Sequence, residues 1–139
     1  MFNDVLRTIE NWSPKDHYTT ETKYRDDLLL FLRQKLNQHE STIFSSPIWS
    51  SNNNQHLVKK EAGRSLADIG IDNKIGIELK RDLKRKSQIN RLVGQVVDYL
   101  DGYSHVIIVL CGQPEQEAVE VLKHNLRRII KAAATLYEQ

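Results

Sequence analysis

The sequence holds little of what stabilises secreted or membrane proteins. Its 139 residues include a single cysteine, Cys111, which cannot form a disulfide within the chain or complete a zinc site alone. No apolar run approaches the ~20 residues that a membrane span needs, and residues 1–4 lack the charged and apolar regions of a signal peptide. We therefore expect a cytoplasmic protein with no membrane partner.

Charge of neither sign is in large excess. The net charge is +2, from 20 basic and 18 acidic residues, so the whole-molecule charge argues only weakly for a nucleic-acid partner. The distribution says more, because the segment 74–91 holds seven basic residues and only two acidic ones. The basic residues are Lys74, Lys80, Arg81, Lys84, Arg85, Lys86 and Arg91.

The length and the apolar periodicity predict one α/β domain over residues 1–139. Apolar residues at helical spacing predict a short helix over 2–12, a longer one over about 20–37, a third capped by Ser87 and a last one whose apolar stripe extends to Leu136. Strands are predicted over 42–49, 55–60, a hairpin within 65–80, and 105–110. The predicted element order is α-α-β-β-β-β-α-β-α.

Charged residues interrupt the apolar hairpin at positions that share a face. Successive side chains of a strand alternate sides, so Glu78 and Lys80 point one way while Ile77 and Leu79 point the other. Strands with an apolar face rarely carry ionised groups unless these are paired or hold a metal, because an uncompensated buried charge is costly. The pattern therefore indicates a metal site or an ion pair.

The register of the hairpin decides whether Asp68 joins these charges. A two-residue turn at 72–73 would put Asp68 on the opposite face from Glu78. A three-residue loop over 72–74, or a bulge of equal effect, would pair Ile71 with Ile75 and put Asp68 directly across from Glu78. We predict the second register.

These residues resemble the PD-(D/E)XK nuclease superfamily. Asp68, nine intervening residues and then Glu78-Leu79-Lys80 match its Asp-Xn-Glu-X-Lys signature, and Gln95 with Tyr99 matches the Gln-X3-Tyr pattern of its RecB-like and Cas4-like branches. The resemblance covers about residues 20–110. It implies a restriction-endonuclease-like core, with a central mixed sheet of four to five strands flanked by helices. The chain departs from the signature at Ala67, where the name-giving proline would stand.

The resemblance also implies a catalytic site. Asp68, Glu78 and the main-chain carbonyl of Leu79 would bind Mg²⁺, for which Mn²⁺ would substitute, and Lys80 would position or activate the attacking water. Glu21 resembles the helix-borne acid that completes such a site through a second metal or a bound water. Gln95 would form a hydrogen bond near the lysine or the substrate.

Two alternatives to Glu21, Asp26 and Asp27, lie within two turns of it on the same predicted helix. The sequence does not separate the three acids.

A DNA substrate is expected beside these groups. The candidate nucleic-acid-binding residues are Arg81, Lys84, Arg85, Lys86, Tyr99, Lys59, Lys60 and Arg64. A homodimer, formed through the last helix or an edge strand, would widen the surface that grips a duplex. The alternatives are a nucleic-acid-binding module of the same fold that does not cut, and an assembly subunit. The form of the DNA is left open.

Overall fold

The computed structural model describes residues 1–37, 55–61, 66–129 and 134–138. Within these ranges it contains four helices and five strands. They are α1 (Phe2–Glu10), α2 (Glu21–Leu36), β1 (Val58–Lys60), β2 (Ile69–Ile71), β3 (Ile75–Arg81), α3 (Lys86–Tyr99), β4 (His105–Cys111), α4 (Gln116–Ile129) and β5 (Ala134–Glu138).

The five strands form one mixed sheet in sequence order, β1-β2-β3-β4-β5. The first three strands are antiparallel, whereas β4 is parallel to both β3 and β5. Parallel neighbours need a crossover connection, which α3 supplies between β3 and β4. The chain is therefore of the α/β class, as predicted.

Helices cover the two faces of this sheet. On one face α1 and α2 pack against the odd-numbered apolar residues of β3 and β4, such as Ile77 and Val109. On the other face α3 and α4 pack against even-numbered residues of β4, such as Ile108. Because β4 is covered on both sides, its sequence is apolar without alternation, as expected of a buried parallel strand.

The first two helices lie where the apolar periodicity predicts them. The Thr20 hydroxyl accepts a hydrogen bond from the Lys23 amide and so caps α2. No described helix is both long and apolar enough to cross a membrane.

Two helix ends differ from the prediction, and one predicted strand lies outside the described residues. Ser87 is not the N-cap of α3, because the helix already begins at Lys86, after the extended Arg85. The last helix does not continue to Leu136, since α4 ends at Ile129 and β5 pairs with β4 over 134–138. The backbone N–H and C=O groups of residues 134–138 form hydrogen bonds with the parallel strand β4. This pairing between distant segments overrides the apolar spacing that predicted a helix. The predicted strand over 42–49 lies outside the described residues.

Asp27 ties the connection between α1 and α2 to the core. One carboxylate oxygen accepts from the Trp12 indole at 3.1 Å, and the other from the Tyr18 hydroxyl at 2.7 Å and the Lys15 amide at 2.9 Å. Burial opposes the charge, but these donors outweigh it and lower the pKa of Asp27 below its usual value. The hydrogen bond that the Tyr18 hydroxyl donates to Asp27 is the main cause that raises the pKa of Tyr18 to about 12.

We predict that Asp27→Ala destabilises the protein by about 2–4 kcal/mol, because the buried Trp12 indole loses its acceptor along with two further hydrogen bonds. Urea unfolding at neutral pH measures the change. Since the folded pKa of Asp27 is depressed, its contribution is present above the unfolded pKa and is lost as the pH falls through the folded value.

Asp26→Ala is the matched control for this variant. The Asp26 side chain is 55% exposed and pairs only with its neighbour Arg25 among the contacts described, so its removal should change the stability by less than about 1 kcal/mol. Equal losses in the two variants would contradict the structural role of Asp27.

Candidate active site

The hairpin of β2 and β3 has the predicted register. Ile71 pairs with Ile75 and Ile69 pairs with Ile77, so Asp68 lies directly across from Glu78. The turn allows this because Asp72 and Asn73 both adopt the left-handed region, with φ of 53° and 58°, which these residue types tolerate better than most. Lys74 is the extra residue that shifts the pairing by one.

Glu78 and Lys80 share a face of β3, as the alternation of the strand predicts. The Lys80 ammonium lies 3.7 Å from Glu78 Oε2. Glu78 is only 4% exposed, and its face of the strand is the one that α3 covers. A single lysine thus accompanies a carboxylate that the fold removes almost completely from water.

Asp68 approaches β3 from the neighbouring strand. Its Oδ2 accepts a hydrogen bond from the Leu79 amide at 2.9 Å, which fixes the carboxylate beside the strand that carries Glu78. Burial raises the pKa of Asp68, and the Leu79 amide and the charge of Lys80 oppose that rise. The backbone of Leu79 is therefore part of the site, although its side chain points into the opposite core.

The two carboxyls strongly influence each other. Burial, followed by the negative charge of Asp68, raises the pKa of Glu78 to about 7, and Lys80 and a hydrogen bond from Tyr99 only partly offset this. Two carboxylates in one desolvated site repel each other, so one tends to hold its proton. Among the described residues, Lys80 and Arg25 offset the negative charge of the pair, since both contribute to lowering the pKa of Asp68.

Tyr99 supports Glu78 from α3. Its hydroxyl donates to Glu78 Oε1 at 3.1 Å, and the residue is 5% exposed. The burial of Tyr99 against the sheet leaves little surface for the predicted contact with nucleic acid, and its described partner is Glu78. The Gln-X3-Tyr spacing singled out Tyr99 in the sequence. The amphipathic pattern of its helix does not identify Glu78 as the partner of the Tyr99 hydroxyl.

Gln95 lies one turn before Tyr99 on the same helix. Its Oε1 is buried and finds no hydrogen-bond partner among the described residues. A buried amide oxygen without a partner costs free energy unless water or a ligand supplies a donor. Gln95 therefore carries a buried acceptor without a described partner on the inward edge of α3.

The acidic residues of α2 have different surroundings. Glu21 Oε1 lies 3.4 Å from the Arg81 amide at the end of β3, and its charge contributes to raising the pKa of Glu78. Asp27 is committed to the α1–α2 connection, and Asp26 pairs with Arg25. Of the three acids, Glu21 is the one that the fold brings to the carboxyl end of β3.

The predicted nucleic-acid-binding residues are spread over several surfaces. Lys84 and Arg85 are exposed in the connection between β3 and α3, and Lys86 is exposed at the start of α3. The Arg81 guanidinium instead pairs with Asp82 at 2.6 Å. The connection is held by Gln88, whose Oε1 accepts from the Lys84 and Arg85 amides. An exposed basic segment thus adjoins the strand that carries Glu78.

Lys59 and Lys60 cannot serve one surface, because neighbours on β1 point to opposite sides. Lys59 pairs across the sheet with Gly70, on the face of Glu78, and Lys60 pairs with Ile69, on the other. Arg64 lies outside the described residues.

Glu61 is an acid that the sequence analysis missed. The Glu61 amide donates to the Asp68 carbonyl at 3.1 Å, so the two residues are cross-strand neighbours. The Glu61 carboxyl lies over Gly70, where a Cβ would come within 2.6 Å of it, and its Oε1 is 3.4 Å from Lys59 Nζ. The pairing of β1 with β2 would have revealed it, but periodicity alone does not assign strand partners.

The described residues include no group of three His, Cys, Asp or Glu side chains close enough to hold a metal ion. The pair of Asp68 and Glu78 nevertheless has donor chemistry suited to Mg²⁺, which prefers carboxylate and carbonyl oxygens and retains several waters instead of requiring a full protein cage. The proximity of the two carboxyls, which contributes to raising the pKa of Glu78, and the unsatisfied Gln95 Oε1 also fit a hydrated cation.

Comparison with known proteins gives no relative from which to infer a family: no family model matches the chain, and no curated protein or solved structure is significantly similar to it.

We predict that Glu78→Gln alters the pH dependence of stability. Because the pKa of Glu78 rises from 4.5 to about 7 on folding, the folded state holds more protons between these values and the free energy of unfolding falls as the pH rises through them. A glutamine cannot ionise, so above pH 7 the metal-free variant should be more stable than wild type, by on the order of 2 kcal/mol.

Urea unfolding in EDTA between pH 4.5 and 8 measures this difference. Asp101→Asn, which removes an exposed carboxylate at the end of α3, is the control and should run parallel to wild type. A Glu78→Gln profile parallel to wild type would contradict the raised pKa.

Proposed function

We propose that this protein is a metal-dependent nuclease of the PD-(D/E)XK superfamily that hydrolyses DNA phosphodiester bonds. The observation that carries the proposal is the juxtaposition of Asp68 and Glu78 across the β2–β3 hairpin, with Lys80 3.7 Å from Glu78 on the same face. The signature residues of the superfamily, ten apart in the sequence, are thereby neighbours in space.

A purely structural reading of the carboxylate pair explains less. A buried ion pair made for stability needs matched charges and satisfied hydrogen bonds, because desolvation otherwise exceeds the Coulombic gain. Here two carboxylates share a site with Lys80 and with the charge of Arg25, and burial still raises the pKa values of both acids. Acids with raised pKa values that lie together are typical of catalytic or metal-binding sites.

The topology supports a restriction-endonuclease-like core for the same proposal. A helix is followed by three antiparallel strands, a crossover helix and a parallel strand, which here are α2, β1, β2, β3, α3 and β4. The candidate acids lie on β3 and next to β2, and α2 and α3 each bring one further polar residue toward them.

The chain offers ligands for Mg²⁺ or Mn²⁺ at this site. The Asp68 and Glu78 carboxylates and the Leu79 carbonyl would hold the ion, with Glu21 contributing from the start of α2 directly or through water. When bound, the cation would neutralise charge on the phosphate and lower the pKa of a coordinated water.

The remaining residues would orient the reactants. Lys80 would hold the attacking water and stabilise the negative charge that develops on the phosphate oxygens. Tyr99 donates to Glu78 Oε1 and so keeps that carboxylate in one orientation, and Gln95 Oε1 would accept a hydrogen bond from water or substrate. Both positions come from α3, so the helix packing sets their distance from β3.

DNA would approach along the exposed basic segment Lys84–Lys86, with Lys59 on the same face of the sheet as Glu78. Phosphate contacts of this kind supply affinity without sequence preference. A homodimer remains part of the proposal. Several apolar residues of α4, such as Leu122, are buried in the core, whereas Val121 is 40% exposed, so the last helix and a sheet edge both stay candidates for the dimer contact.

The first experiment is cleavage of linear, circular, single-stranded and branched DNA in Mg²⁺ or Mn²⁺. We expect activity that EDTA abolishes and that Asp68→Asn, Glu78→Gln and Lys80→Met each reduce at least about a hundredfold, because each removes a group that acts on the reacting phosphate or water.

Lys35→Met is the matched control, since it removes an exposed lysine from the far end of α2 and should leave the rate unchanged. Cleavage that survives Glu78→Gln would reveal a contaminant or another site. Salt-sensitive DNA binding without cleavage of any substrate would reject the nuclease and favour a binding module.

Metal binding can be measured apart from activity. We expect Mg²⁺ to raise the melting temperature of wild type, because a ligand at a hundredfold its Kd stabilises the folded state by about 2.7 kcal/mol. Glu78→Gln and Asp68→Asn should lose this increase, whereas the exposed-acid variant Asp101→Asn should retain it. An equal increase in all four proteins would place the ion elsewhere.

A further inference from the structure

A row of side chains along α2 crosses the sheet from the site to β1. Residues four apart lie on one face of a helix, and Glu21, Arg25, Leu29 and Arg33 form such a row. Two hydrogen bonds mark its ends. Glu21 Oε1 lies 3.4 Å from the Arg81 amide at the end of β3, and Arg33 Nε donates to the Val58 carbonyl at the start of β1 at 2.9 Å.

These two anchors locate Arg25. Strand β2 lies between β3 and β1, so the row crosses it on the way. Arg25 is four residues, about 6 Å along the axis, from Glu21 at the site end of the row. That is the end at which Asp68 precedes β2. In agreement with this placement, the positive charge of Arg25 contributes to lowering the pKa of Asp68 against the larger effect of burial.

Among the described residues, the basic groups of β3 beside the carboxylates are already engaged. Lys80 pairs with Glu78, and the Arg81 guanidinium pairs with Asp82 at 2.6 Å. A phosphodiester that enters beside Asp68 and Glu78 is itself negatively charged, so a cationic side chain on the α2 side would offset the repulsion. Arg25 is the basic residue of α2 nearest to that position in the row.

The present partner of Arg25 is one that a phosphate could replace. Its Nε and Nη2 lie 3.1 and 3.0 Å from a single oxygen of Asp26. The Asp26 side chain is 55% exposed while that of Arg25 is 19% exposed. Ion pairs with so exposed a carboxylate contribute little free energy, whereas the guanidinium fork matches a phosphate with two parallel hydrogen bonds.

We propose that Arg25 binds a phosphate of the DNA backbone at the candidate active site, exchanging its contact with Asp26 for the substrate. The inference rests on the proposed function and names a phosphate-binding residue on α2 that the signature of the superfamily does not include. In this arrangement Asp26 competes with the phosphate for the guanidinium.

The test compares Arg25→Met, which keeps an unbranched apolar stem, and Arg25→Lys, which keeps the charge, with Asp26→Asn as the control. DNA affinity is measured in EDTA between 50 and 200 mM salt, and single-turnover cleavage is measured in Mg²⁺. Arg25→Met should bind roughly tenfold more weakly, and the slope of log K against log salt should fall by about 1, because one phosphate contact is lost.

The other variants should behave differently. Arg25→Lys should keep the wild-type salt slope with an intermediate affinity, and Asp26→Asn should bind DNA at least as tightly as wild type. An Arg25→Met affinity and slope equal to wild type would overturn the proposal. So would an equal loss of affinity in Asp26→Asn, since Arg25 would then act only through its ion pair.

Circular dichroism shows whether Arg25→Met folds. If it does not, Arg25→Lys becomes the test of the proposal. Affinity and a cleavage rate equal to wild type in Arg25→Lys would then reject it. A wild type that binds DNA without cutting any substrate rejects the nuclease, while the salt slopes still decide the role of Arg25. A wild type that binds no DNA overturns both.

Discussion

The cross-strand pairing of Ile69 with Ile77 is the constraint on which the site depends. It sets Asp68 opposite Glu78, and a slip of one residue would turn Asp68 to the other face of the sheet. The register in turn depends on a turn in which Asp72 and Asn73 are left-handed. Asp72 accepts a hydrogen bond from the Leu57 amide and pairs with the His56 ring. The turn is therefore also joined to the segment that leads into β1.

Two glycines make room for neighbouring side chains on the face of the sheet that carries the acids. Gly70 leaves room for the Glu61 carboxyl, and Gly76 leaves room for the ring of Tyr103, which a Cβ would approach to 2.7 Å. The Tyr103 hydroxyl accepts from the Ala67 amide and therefore steadies the residue before Asp68.

The site concentrates acidic groups that burial makes costly to ionise. Asp68 and Glu78 are largely removed from water, Glu21 adds its charge from α2, and Lys80 is the lysine paired with Glu78. Such an arrangement costs stability in the absence of a ligand, as strained or destabilised functional sites often do. A cation would relieve the repulsion, and the same carboxylates would then be used to hold it. The cost to the apo fold and the proposed chemistry thus have one physical origin.

Much of this arrangement follows from local sequence. Alternation along β3 determines that Glu78 and Lys80 share a face. The residues of the turn favour the register that brings Asp68 to these two residues. Apolar periodicity locates α1 and α2, because each helix buries one apolar stripe. Periodicity fails at 134–138, where the backbone pairs with β4 although the apolar spacing also suits a helix. Local signals lose there to a neighbouring strand that is distant in the sequence.

Only the tertiary structure decided the partners of the polar side chains. Asp27 proved to be structural and Glu21 proved to lie at β3, although both are acids of one helix, because their roles depend on what packs against each side of α2. Tyr99 likewise turned from an expected surface contact into the buried donor to Glu78. The sequence by itself determined which residues share a strand face or a helix face, since that is a property of backbone geometry. The packing of helices on the sheet decided which faces meet, since that depends on contacts between segments far apart in the chain.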